Sequence, residues 1–173
     1  MAQKNKGKKF EDVVKQSFLK TLGVSIDRLR DVSYSRVRGR TTHLKNVDNP
    51  SDFIVYKKPH EVYVECKSHK GNTLPFDCIR EEQIEGMMRK VQIPGVKAGI
   101  LLWFIDHDIT VWIPIQEVVF WRDIGNKSIN IKNIQGKHTE RIRHIVVPGT
   151  KKRVYFEYDM NKFLEELYGD EAL

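Results

Sequence analysis

Acidic and basic side chains lie at the ends of two short apolar segments of this chain. In the first, residues 49–56, Asp52 precedes a run of aromatic and β-branched residues; the second, residues 61–67, ends in Glu65, a cysteine and Lys67. The Lys-Lys-Pro-His between them predicts a turn joining two antiparallel strands, which brings Asp52 beside Glu65. Because side chains alternate along a strand, Glu65 and Lys67 share one face. Two carboxylates beside an ammonium group can hold a divalent cation against a phosphodiester.

These residues also admit an ordinary structural interpretation. Glu65 could be a surface carboxylate paired with Lys67 or Lys57, and exposed ion pairs of this kind contribute little to stability. The other face of the second strand carries two valines and Cys66. We expect that face to lie in the core, so that the polar residues have an apolar layer behind them.

Composition favours a basic globular protein. The chain has 173 residues, enough for one domain with a core, and is 40% hydrophobic and 31% charged. Its net charge is +7, although residues 159–173 contain five acidic residues and one lysine. The rest of the chain is therefore more basic than the total suggests. This predicts affinity for a polyanion, with solubility as the simpler explanation of the charge.

Cysteine, histidine and hydrophobic patterns exclude several classes of protein. Two cysteines are too few for a disulfide framework or a cysteine metal cage, and the six histidines show no zinc-type spacing. The longest apolar run, at about 98–105, is too short to cross a membrane. The basic start of the chain lacks the apolar segment of a signal peptide. We therefore expect a cytoplasmic protein with no membrane partner.

The hydrophobic pattern predicts a single α/β domain over residues 7–173, preceded by a basic flexible tail at 1–6. Helices are predicted at about 7–22, 78–92 and 117–121 and after Asp159, and further strands at about 32–38, 97–105 and 109–113. Residues 36–49 are rich in cations and poor in large apolar residues. That segment is predicted to be an exposed basic loop or a short projecting hairpin.

The site residues and several other segments resemble known nucleases. Asp52 followed by Glu65-x-Lys67 resembles the PD-(D/E)xK nucleases, with Ser51 standing between Pro50 and Asp52. The rest of the chain resembles RecU-type Holliday-junction resolvases and their phage relatives, over about residues 7–168. The segments that carry this resemblance are Gly7-Lys8-Lys9-Phe10-Glu11, residues 68–76, Gln83-Ile84 with Met87, Gly95, residues 98–104, Trp121-Arg122-Asp123 and residues 127–129.

The resemblance implies a restriction-endonuclease-like core, with a mixed β-sheet flanked by helices. It implies a Mg²⁺-dependent endonuclease, with Mn²⁺ as a second candidate metal, in a bacterial or phage-infected cell. Asp52, Glu65 and Gln83 would bind the metal, Lys67 would orient water or stabilise charge on the phosphate, and Glu11 would complete the site. Without the resemblance, Gln83 would be a solvated helix residue and Glu11 would support its helix through Lys15.

The resemblance also implies a homodimer that resolves Holliday junctions by paired symmetric cuts, with recombination proteins as further partners. The residues expected to contact DNA are Arg36, Arg38, Arg40, Lys45, His69 and Lys70; a solvated loop is the alternative for the first four. Trp103, Trp112 and Trp121 are expected in the core or a dimer interface. Two rival functions stay open: a nuclease acting on linear or flap DNA, and a recombination mediator that binds DNA without cutting it.

Overall fold

The computed structural model describes residues 2–29, 35–37, 40–42, 49–136 and 141–169, with side chains for 6–29, 49–136 and 141–169. The helices in these ranges are α1 (Ala2–Leu19), α2 (Glu81–Lys90), α3 (Ile115–Asp123), α4 (Ile131–Gln135) and α5 (Met160–Tyr168). The strands are β1 (Ser25–Arg28), β2 (Ser35–Val37), β3 (Arg40–Thr42), β4 (Phe53–Lys57), β5 (His60–His69), β6 (Thr73–Pro75), β7 (Val96–Phe104), β8 (Ile109–Pro114), β9 (Ser128–Asn130), β10 (Ile145–Val146), β11 (Gly149–Lys151) and β12 (Phe156–Tyr158). Short 3₁₀ turns occur at Phe76–Cys78 and Ile105–His107.

A six-stranded mixed sheet forms the centre, in the order β1-β4-β5-β7-β8-β10. Its neighbours pair antiparallel except β5 and β7, which run parallel. A parallel pair needs a crossover connection, and α2 lies in the segment that connects β5 to β7. The predicted α/β fold, with a mixed sheet flanked by helices, is confirmed.

Helices cover both faces of this sheet. Helices α1 and α5 pack with the valines and Cys66 of β5 in one core layer. Helices α2, α3 and α4 pack in the other, with Tyr63 of β5 and alternate residues of β7. All three tryptophans are buried, as expected for core residues. In the described part of the chain no helix is long and apolar enough to cross a membrane.

The structure differs from the sequence-based expectation at the start of α1 and extends it in residues 36–49. Helix α1 begins at Ala2, whereas a flexible tail is predicted through residue 6. Alanine, glutamine and lysine are good helix formers and neither glycine nor proline occurs among residues 2–6, so nothing there ends the helix. Between 36 and 49, the described part is a β2–β3 hairpin, which is one of the two predicted forms. Arg38, Lys45 and the rest of that segment lie outside the described residues.

Candidate active site

The β4–β5 hairpin brings Asp52 to Glu65. Phe53 pairs with Val64, so the residue before β4 lies next to the residue that follows Val64. The Asp52 N–H donates to the Val64 carbonyl at 3.1 Å. The Asp52 carboxylate in turn accepts the Cys66 N–H at 2.8 Å, so its Oδ2 is fixed by the main chain of the neighbouring strand. The predicted meeting of the two carboxylates is what the structure shows.

Glu65 is a buried carboxylate that is only partly satisfied. Its residue is 2% exposed, which contradicts the interpretation as a surface ion pair. Lys67 Nζ lies 2.8 Å from Glu65 Oε1, on the same face of β5. The other oxygen, Oε2, is buried and has no hydrogen-bond partner among the described residues. Burying a hydrogen-bond acceptor without a donor is unfavourable. Because the Asp52 carboxylate lies nearby, a cation could bind between the two carboxyl groups and satisfy this oxygen.

The surroundings of Glu65 favour its protonated form when no cation is bound. The pKa of Glu65 is raised from its ordinary 4.5 to about 7, first by burial and then by the nearby charge of Asp52. The ammonium group of Lys67 and the amide of Gln83 act in the opposite direction. Near neutral pH this carboxyl group is therefore partly protonated, and a proton competes there with any cation.

Gln83 forms the third side of the site. It is the third residue of α2 and is 2% exposed, so the interpretation as a solvated helix residue is wrong. Its Oε1 accepts the Arg80 N–H at 3.3 Å, which caps the start of α2. The Gln83 side chain also lowers the pKa of Glu65, an effect that only its NH₂ group can have, because only that group can donate toward a carboxylate. The role of Gln83 as a metal ligand through its oxygen stays a prediction.

Glu11 lies near the site but has a basic partner. It forms an ion pair with Arg28 of β1, and Arg28 also lies 3.4 Å from Asp12. The Arg28 guanidinium carbon is 5.6 Å from the centre of the Phe53 ring, so it connects α1 to the start of β4 beside Asp52. Sequence patterns did not single out Arg28, because the four-residue β1 buries only Ile26 and gives no alternation long enough to detect.

The predicted DNA-contacting residues fall into two groups. His69 ends β5 and Lys70 follows it, which places both at the same end of the sheet as Lys67. The loop after them is held by the Gly71 N–H, which donates to Asp106 at 2.9 Å, and by a 2.6 Å contact between Asn72 and His107. The side chains of Arg36, Arg38, Arg40 and Lys45 lie outside the described part, so their place relative to the site stays a prediction.

The donor set fits a hard cation that keeps part of its water shell. No group of three or more His, Cys, Asp or Glu side chains that could hold a metal occurs within the described ranges. Two carboxylates with a buried, unpartnered oxygen match Mg²⁺, which takes oxygen ligands and is commonly held by one or two carboxylates together with water and phosphate.

Glu65→Gln is expected to stabilise the metal-free protein at alkaline pH. Folded Glu65 holds its proton to about pH 7, whereas the unfolded group loses it near 4.5, so the folded state binds more protons between these values. The contribution of Glu65 to stability is thus fully present below pH 4.5 and is lost as the pH rises through 7, by about 3 kcal/mol. Urea denaturation in EDTA at about pH 5 and about pH 8 measures the difference between the variant and the unaltered protein.

Glu61→Gln serves as the control, because Glu61 is a partly exposed carboxylate on the same strand. Mg²⁺ added at the higher pH should stabilise the unaltered protein but not Glu65→Gln. If the unaltered protein and Glu65→Gln show the same pH dependence of stability, then Glu65 does not titrate as described.

Gln83→Ala is expected to raise the Mg²⁺ concentration needed for half-maximal binding. The variant loses either a neutral oxygen ligand or the amide that supports ionised Glu65, and both changes weaken the site by about 10- to 100-fold. Isothermal calorimetry gives the affinity, with Gln92→Ala as a control at an exposed glutamine in the turn that follows α2. If the Mg²⁺ titration of Gln83→Ala is unchanged, then Gln83 does not contribute to metal binding.

Comparisons with known proteins give structural likenesses but no family. No family model matches the sequence, and no curated protein matches it. The fold is similar to that of Archaeoglobus fulgidus Hjc, described as a Holliday junction resolvase from an archaeal hyperthermophile. The two are 16% identical, and the match covers 64% of this chain and 78% of that one with a TM-score of 0.45. A likeness at this level assigns no residue, and the functional argument rests on the site itself.

Proposed function

We propose that this protein is a metal-dependent endodeoxyribonuclease of the PD-(D/E)xK type. The observation that carries the proposal is the buried Glu65, which lies in a site with the Asp52 carboxylate and the Lys67 ammonium group and whose Oε2 has no hydrogen-bond partner in the described part of the chain. A site made only for stability would not keep a buried carboxylate that favours protonation. A site for a cation and a phosphodiester needs two oxygen ligands and a nearby positive charge.

Each side chain has a role that follows from its position. Asp52 and Glu65 would hold Mg²⁺, with Gln83 beside them. When bound, the metal would lower the pKa of a water molecule and neutralise charge on the phosphate. Asp52 presents an oxygen oriented by the Cys66 N–H, and Lys67 supports ionised Glu65. The Lys67 ammonium can also stabilise the negative charge that develops on the attacked phosphate.

A labelled DNA substrate tests the proposed activity. Cleavage of a synthetic four-way junction is expected with Mg²⁺ and not with EDTA. Binding with no cleavage under any divalent metal would instead favour the rival function, a DNA-binding recombination mediator.

The finer proposal is a RecU-type resolvase that cuts Holliday junctions as a homodimer. It is supported by the segments of sequence resemblance, and by the need for two symmetric cuts when each chain carries one site. Its setting would be the cytoplasm, alongside recombination proteins. Comparing the four-way junction with its separate linear arms and with a flap substrate tests the specificity. Equal cutting of all three would leave a general nuclease of the same type.

A further inference from the structure

The start of helix α1 is fixed at the same end of the sheet as the candidate active site. A Cβ placed on Gly7 would lie 3.9 Å from Ser68 Oγ, and Ser68 directly follows Lys67 on β5. The Phe10 ring packs 5.7 Å, centre to centre, from that of Trp103, which pairs with Ser68 across β5 and β7. The first turns of α1 are therefore packed against the carboxyl ends of both strands.

Two lysines on these turns are exposed to solvent. Lys8 and Lys9 directly follow Gly7, and both are exposed. Neither forms an ion pair with a residue in the part of the chain whose side chains are described. By contrast, Lys20, which follows the other end of α1, lies 2.5 Å from Glu157. Among the described side chains, none neutralises Lys8 or Lys9.

The nearest acidic residues along α1 do not offset the charge of these lysines. Glu11 and Asp12, which lie one turn after Lys8 on the same side of the helix, are both engaged by Arg28. Adjacent lysines repel each other, and an anionic partner would relieve that repulsion.

We propose that Lys8 and Lys9 form a phosphate-binding surface that holds the backbone of a DNA arm beside the Asp52–Glu65 pair. The inference rests on the nuclease function proposed above and adds residues to it. Its partner is the phosphodiester backbone of duplex DNA, because the surface offers flexible point charges and no groups arranged to read bases. The lysines of α1 would then set where the scissile strand lies relative to the metal site.

Salt dependence of DNA binding tests the surface directly. Affinity of a linear duplex and of a four-way junction is measured by fluorescence anisotropy in EDTA, over about 50 to 200 mM salt. In the double variant K8Q/K9Q, the slope of log affinity against log salt is expected to fall by about 1.8, or about 0.9 for each lost phosphate contact. The charge-retaining variant K8R/K9R is expected to keep the slope of the unaltered protein.

The matched control is K57Q/K58Q, which removes the same charge from two adjacent lysines. These lie at the turn of the β4–β5 hairpin, five to six residues along the chain from Asp52, or about 17 Å away at about 3.3 Å per residue. A thermal unfolding curve checks that every variant is folded. The inference is overturned if K8Q/K9Q keeps the full slope, if K57Q/K58Q lowers it equally, or if the unaltered protein shows no salt-dependent binding.

Cleavage is measured separately, so that the two proposals fail independently. If the unaltered protein cuts DNA but K8Q/K9Q keeps the same salt slope, the nuclease proposal stands and the lysine surface is rejected. If the salt slope of K8Q/K9Q falls as expected but the unaltered protein cuts no substrate, the lysine surface stands and the nuclease proposal is rejected.

Discussion

Asp52→Ala or Glu65→Ala is expected to abolish Mg²⁺-dependent cleavage of a four-way junction while leaving junction binding in EDTA nearly unchanged. Each substitution removes one of the two carboxylates proposed to hold the metal, and the basic surface that supplies most of the affinity remains. The loss should exceed the roughly 10- to 100-fold effect of removing a residue that only supports a metal ligand. Single-turnover cleavage and anisotropy measure the two quantities.

The controls separate chemistry from folding. Asp52→Asn keeps an oxygen that can accept the Cys66 N–H, so it preserves the local hydrogen bond and should still lose cleavage. Glu61→Ala removes a carboxylate from the same strand, away from the site, and should cut normally. If a folded Asp52 or Glu65 variant retains full cleavage, then this pair is not the metal site.

Lys67→Ala is expected to stop cleavage by a different route, with Mg²⁺ binding retained. The variant lacks the ammonium that stabilises charge on the attacked phosphate, a change that typically lowers the rate by about 10²- to 10³-fold. Lys67 also lowers the pKa of Glu65, so without it the carboxyl group holds its proton to higher pH. Mg²⁺ binding should therefore be measured by calorimetry at about pH 9 as well as near neutrality.

Lys67→Arg provides the comparison for this variant. It retains the positive charge but replaces a compact ammonium with a planar guanidinium, so partial activity is expected. If Lys67→Ala binds no Mg²⁺ even at alkaline pH, then Lys67 acts by holding the metal site together, and the role proposed here is wrong.

Local patterns in the sequence predict the β4–β5 hairpin and the face of β5 on which Glu65 and Lys67 lie. The alternation through residues 61–67 and the turn before it are sufficient, because strand pairing and side-chain parity depend only on neighbouring residues. Strands β7 and β8 and the start of α5 directly after Asp159 follow from equally local signals. The structure confirms each of them.

Contacts between distant segments are what the sequence does not reveal. Arg28 of β1 reaches Glu11 across 17 positions, and Gln83 of α2 lowers the pKa of Glu65 on β5. These contacts depend on how α1, β1 and α2 pack around the sheet, and no local period encodes them. The start of α1 was likewise missed, because its basic composition is equally typical of a tail.

The hydrogen bond from Cys66 to Asp52 has a consequence for how a metal is held. Strand β4 begins at Phe53, and the side chain of Asp52, the residue before it, takes the next position in the pairing with β5. Its torsional freedom is thus lost when the hairpin folds, so little conformational entropy remains to be lost when a cation arrives. Hairpin folding and ligand orientation are therefore one event, and a substitution at this position changes both.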